Sequence, residues 1–162
     1  MRSLSWFICI CLTMTAAARA ADPPSDRQAA VRERGAEVMS FSLGATQHVF
    51  TKTTDGGVQR VVARGDHAEQ VDPIRSHLRA IGDAFTQRDF SGPAHIHGED
   101  MPGLAALKAA PRDDLTVAYH DIDDGAEITY RARTDAVRDA IHRWFDAQLA
   151  DHGTDATRTL PH

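Results

Sequence analysis

Residues 93–103 read PAHIHGEDMPG, which puts His95, His97, Glu99, Asp100 and Met101 on one short stretch between Pro-Ala and Pro-Gly. Imidazole, carboxylate and thioether are all metal-ligand groups. Without a thiolate beside them, they suit copper first and zinc second: neutral imidazole binds Cu(II) and Zn(II) well, and methionine sulfur adds a preference for Cu(I). The punctuation by proline and glycine predicts a loop, a form of chain able to fold round an ion. The competing reading is a solvated polar connector that happens to be rich in histidine.

Known signatures built on His-x-His do not match. A metallo-β-lactamase-type run needs a third histidine where Asp100 stands, and Glu99 follows His97 too closely for a cupin. An amidohydrolase barrel needs far more chain. HDIDDGAE (120–127) is not a calcium loop, because His120 and Ile122 would occupy coordinating positions. Gly-x-Ser-x-Gly, a phosphate-binding glycine loop and His-Glu-x-x-His are all missing from the sequence.

The remaining histidines depend on the elements that carry them. His48 and Phe50 alternate onto one side of a β-rich run, FSLGATQHVFTK, which pairs through TTDGG with VQRVVAR. From Asp66 to about Asp89 the pattern is helical, with Ile74, His77, Leu78, Ile81 and Phe85 on one stripe. A short helix over GLAALKAA precedes a second hairpin, LTVAYHDI and AEITYRAR about DDG. Thr134-Asp135 starts a last amphipathic helix that ends at Gly153, with His142, Phe145, Leu149 and His152 along one side. A further helix is expected over roughly 26–39. If helices cover the strand face bearing His48, then His48, His77 and His142 converge; His67, His120 and His162 fall at surface or turn positions. The fold class expected is α+β: a two-layer sandwich with a roughly four-stranded antiparallel sheet, two hairpins, and helices on one face.

Compartment limits the chemistry. Arg2, an apolar run through WFICICLTM and the small-x-small triplet Ala18-Arg19-Ala20 predict a secretory signal over 1–20, hence a periplasmic or secreted protein. Cleavage removes Cys9 and Cys11, leaving a chain without thiols, and removing Arg2 and Arg19 takes the net charge from −5 to −7. Disulfides, zinc-thiolate sites and cysteine nucleophiles are thereby excluded from the mature chain. An acidic chain without a basic run is unsuited to nucleic acid or an anionic membrane surface. The expected organisation is signal 1–20, N-terminal extension and helix 21–40, one α+β domain 41–153, and a tail 154–162.

The stretches ATQHVFTKTTDGGVQRVVA, IRSHL, DFSGPAHIHGEDMPGL, ITYRART and HRWFDAQLADHG resemble a family of small exported bacterial proteins that often carry the automatic label "aspartate carbamoyltransferase". The resemblance covers most of 41–155, and its recurring pieces fall on His48, His77, His97, Met101, His142 and His152. A transcarbamylase needs two α/β domains and a phosphate loop, which this chain lacks, so the resemblance implies concerted histidines and methionine without that activity. The leading expectation is a periplasmic copper-binding protein that buffers an ion or delivers it to a metalloprotein or transporter. Its ligands would come from those six residues, with His95 as a further candidate. Zinc is the alternative ion, and non-covalent haem an alternative cofactor. A metal-free interaction module, or a small hydrolase using His97 with Asp100 or His152 with Asp151 as a general base, are the rival readings.

Overall fold

A computed structural model describes residues 25–160. The expected signal peptide with Cys9 and Cys11, and His162, lie outside the described residues. Helix α1 (Asp26–Val38) starts at a capping box in which Ser25 and Gln28 satisfy each other's backbone N–H groups. The hairpins follow the sequence: β1 (Thr46–Thr53) pairs antiparallel with β2 (Gly56–Ala63), and β3 (Leu115–Ile122) with β4 (Gly125–Ala132). Between them lie α2 (Val71–Thr86), α3 (Ser91–His97) and α4 (Leu104–Ala109). Helix α5 (Asp135–His152) has Thr134 as N-cap and Gly153, at φ 55°, as C-cap.

The protein is mixed α and β with an open five-stranded sheet in the order β3-β4-β2-β1-β5. Four strands are antiparallel, as the hairpins require. The fifth, β5 (Ala156–Thr157), falls in the segment expected to be a tail and runs parallel to β1, pairing His48 with Ala156 and Val49 with Thr157. This corrects the four-stranded expectation: two backbone pairs formed by tertiary packing leave no hydrophobic period in the sequence.

Helices α2 and α5 cover one face of the sheet. Ile128 and Tyr130 of β4 meet both, with Gly82 of α2 against Ile128 and Phe145 of α5 against Tyr130. Helices α1 and α4 lean on α5, and α1 also packs on α3. Close approach explains two glycines. A side chain on Gly57 would overlap the Phe145 ring, and one on Gly103, at φ 85°, would overlap the Ala140 carbonyl. No helix among the described residues is long and apolar enough to cross a membrane.

Candidate histidine pocket

His97 does not sit on a loop. Residues 91–97 form α3, and the expectation of a loop across the whole of 93–103 is corrected here. Pro93 is tolerated because it occupies the first turn, where its missing N–H has no intrahelical carbonyl to bond. Gly98 ends the helix at φ 98°. The last carbonyls of α3 are taken by arginines of α1: Arg34 Nε donates to Ile96 O at 2.7 Å and Arg27 Nη2 to His97 O at 3.1 Å. His97 is therefore positioned by two arginines more than sixty residues earlier in the chain.

The same Arg27 holds the group behind the imidazole. Asp151, in the last turn of α5, accepts from Arg27 Nε at 2.5 Å and Nη2 at 2.9 Å, and its Oδ2 lies 2.9 Å from His97 Nδ1. The Asp151 carboxyl is held below the usual carboxylate range: Arg27 and His97 together outweigh the raising effect of its burial. Burial lowers His97 despite the opposing hydrogen bond it makes to Asp151. An ionised carboxylate beside a neutral imidazole fixes the tautomer: Nδ1–H donates to Asp151, and the lone pair lies on Nε2.

Three more histidines meet His97 at one cavity of about 120 Å³ between α2, α3, α5 and the sheet: His48 from β1, His77 from α2 and His152 from the end of α5. The β1–β5 pairing explains part of this convergence, because joining Ala156 to His48 draws the end of α5 alongside β1. His48 and His152 stack with centroids 4.8 Å apart and planes 12° apart, and His97 meets His152 edge-on at 5.0 Å. His77 stands edge-on to Phe41 at 5.4 Å. Burial, with help from the neighbouring histidines, pushes His48 down to about 4 and His152 well below the ordinary histidine value; burial also lowers His77. At neutral pH the four rings are uncharged bases.

The other candidates lie elsewhere. Met101 is buried in the hydrophobic core. His142 and His152, ten residues apart on α5, diverge: His142 Nε2 lies 3.0 Å from Thr53 O and 2.9 Å from Gly56 O, at the turn of the first hairpin. Exposed His95 stands 3.9 Å from Glu37. His67 and His120 are exposed.

Sequence reasoning paired His97 with Asp100 and His152 with Asp151, whereas the hydrogen-bonded pair is His97 with Asp151. It also missed Arg27, Gln148 and Trp144. Trp144, Gln148 and His152 all line the cavity and follow one another at i, i+4 and i+8 on α5, a legible face with a polar group at each step.

Among the described residues, no three histidine, aspartate or glutamate side chains stand where they would hold one ion as the rings now lie. The stacking of His48 on His152 gives a reason. Ring lone pairs lie in the ring plane, so two parallel, stacked imidazoles do not aim at a common point.

Comparison with known proteins finds no matching family, no similar curated protein and no similar solved structure.

Proposed function

We propose that this chain is an exported, periplasmic metal-binding protein that holds copper at the cavity shared by His48, His77, His97 and His152, to buffer the ion or pass it to a metalloprotein or transporter. One observation carries the reading: four imidazoles from four separate elements, all kept neutral by burial, border one partly open cavity. Neutral imidazole is the ligating form, so protons compete weakly for the site. Asp151 orients His97 from behind, the role an outer carboxylate plays for a ligating histidine. Among the described residues, no charged side chain lines the cavity. A monovalent ion is the least costly charge to bring into such a space, which favours Cu(I) over Zn(II). Haem is not favoured, since the cavity is well below the roughly 300–1,000 Å³ of clefts that take drug-sized ligands. Binding requires His48 and His152 to unstack and turn into the cavity.

The test is titration of metal-stripped protein with Cu(I), Cu(II) and Zn(II), following binding and melting temperature together. Submicromolar, stoichiometric Cu(I) binding with a raised melting temperature is expected, lost in His97→Ala and His152→Ala and kept in His142→Ala. A ligand at about one hundred times its Kd adds about 2.7 kcal/mol to stability, well within reach of a melting curve. Weak binding that is indifferent to His97 and His152 overturns the reading.

The His97–Asp151 pair favours a second reading, in which His97 Nε2 acts as general base in a proton transfer. Among the described residues no serine or threonine lines the cavity, so a covalent route through those side chains has no support. Turnover lost in both His97→Ala and Asp151→Asn, in protein free of metal, would favour it over the metal site.

A further inference from the structure

Thioether sulfur is a soft ligand and Cu(I) a soft ion, so any sulfur within reach of the cavity bears on which ion the cavity selects. Met101, expected from the sequence to be that sulfur, is 3% exposed in the hydrophobic core and does not line the cavity. Met39 does line it. Met1, Met14 and both cysteines lie outside the described residues, so among the described residues Met39 is the one sulfur ligand at the cavity.

The cavity is partly open, and its ligand groups differ in how far an arriving ion can reach them. His48 and His97 are each 3% exposed and His152 is 9% exposed, whereas Met39 and His77 are only half-buried. An ion coming from solvent therefore meets Met39 and His77 first.

The chain brings these two side by side. After the end of α1, residues 39–42 run along α2: Ser40 Oγ donates to Pro73 O at 3.4 Å, one turn before His77, and Ser42 N donates to Gln70 Oε1 at 2.8 Å. The Phe41 ring stands edge-on to His77 at 5.4 Å. The end of Met39 rests on bare backbone, since a Cβ placed on Gly35 would stand 3.4 Å from its Cε and 3.9 Å from its Sδ. Other imidazoles are engaged: His67 with Glu69, His97 Nδ1 with Asp151, and His142 Nε2 with two carbonyls. Among the described residues His77 makes no such bond, and burial favours its neutral, ligating form.

We propose that Met39 and His77 form the mouth of the copper site, a thioether–imidazole pair that takes Cu(I) first and gives the site its preference for that ion over Zn(II). The inference rests on the copper reading and adds to it the residue that sets the choice of ion.

The probes are Zn(II) and Cu(I), the latter kept reduced without oxygen and offered against a competing chelator. A Cys9→Ser/Cys11→Ser background leaves methionine as the only source of sulfur. In it, Met39→Leu is a volume-conserving swap at a half-buried position, so the melting temperature of the metal-free protein should not change. Cu(I) affinity should fall by roughly tenfold or more, since losing even an outer partner of a metal ligand typically costs 10–100-fold. Zn(II) affinity should hold, and Met101→Leu should leave both affinities in place. A second readout is direct. In protein labelled at its methionine methyl carbons, the signal missing from Met39→Leu belongs to Met39, and Ag(I), a soft stand-in for Cu(I), should shift that signal in the parent protein. Cu(I) held as tightly by Met39→Leu as by its parent, or a Met39 signal unmoved by Ag(I), overturns the inference; Cu(I) binding that still needs His97 and His152 would then leave the copper reading standing. Cu(I) affinity that depends on Met39 but is indifferent to His97 and His152 would do the reverse, keeping the mouth pair and sinking the four-histidine site.

Discussion

Helix α5 passes through two regions of opposite character. Its middle is packed core: Phe145 sits 5.2 Å from Phe50 and 5.6 Å from Tyr130, over the bare backbone of Gly57. Its last turns carry Gln148, Asp151 and His152, all nearly buried and all polar. In the first region, burial removes apolar surface from water and each contact stabilises the fold. In the second, burial strips water from imidazole and amide, and leaves Gln148 Oε1 without a hydrogen-bond partner among the described residues. One helix thus spans a region organised for stability and one organised at some cost to it. That cost, concentrated at a cavity, makes the second region the candidate functional one.

The largest expected effect separates the two regions. Phe145→Ala removes a ring that fills the space above Gly57 and should cost about 3–5 kcal/mol in denaturant unfolding at pH 7. His48→Leu, in an equally buried position, keeps most of the volume and removes the unpaired nitrogen. It should change stability by less than about 1 kcal/mol, in either direction, while weakening copper binding. Equal losses in the two variants would mean that His48 is a core residue and would undo the contrast.

Acid sharpens the comparison. The folded value of His48 is about 4 against an ordinary 6.5, so between those two values the unfolded chain binds the proton and the folded one does not. Stability is therefore complete above pH 6.5 and declines as pH falls, with the His48 loss finished once the pH has passed about 4. His48 alone should take about 2 kcal/mol from the metal-stripped protein between pH 6.5 and pH 5. The depressed values of His77, His97 and His152 act in the same direction. Denaturation midpoints across that range should show a steep slope in wild type and a shallower one in His48→Leu. A slope unchanged by the substitution would place the acid sensitivity elsewhere.

These two regions were unequally legible. The elements that carry the core follow from local chemistry: Asp-Gly-Gly and Asp-Asp-Gly set the hairpin turns, Thr134 and Gly153 bound α5, and the Ile74–Leu78–Phe85 stripe is the buried face of α2. The pocket depends on long-range pairings with no local period. Asp151 meets His97 across 54 residues and Arg27 across 124. A helix over 91–97 is hidden by proline and glycine, and its end is completed by side chains from α1. The divergence of His142 from His152 was readable in principle. Ten residues at 100° each leave the two about 80° apart round the helix and about 15 Å apart along it, so they cannot share one site.

His142 supplies the smallest effect and the strictest control. Its Nε2–H lies between the carbonyls of Thr53 and Gly56, tying the middle of α5 to the turn of the first hairpin. The ring is half-buried, and both carbonyls stand beside a turn that water can reach, so truncation leaves them solvated at little cost. His142→Ala should lower stability by about 1 kcal/mol, with copper binding unchanged. The reasoning is geometric: a ring committed to two backbone carbonyls cannot also turn toward a cavity bordered by the far end of its own helix. Copper affinity that fell in His142→Ala without a comparable fall in melting temperature would mean that the middle and the end of α5 act together, and the division between a structural region and a candidate binding region would fail.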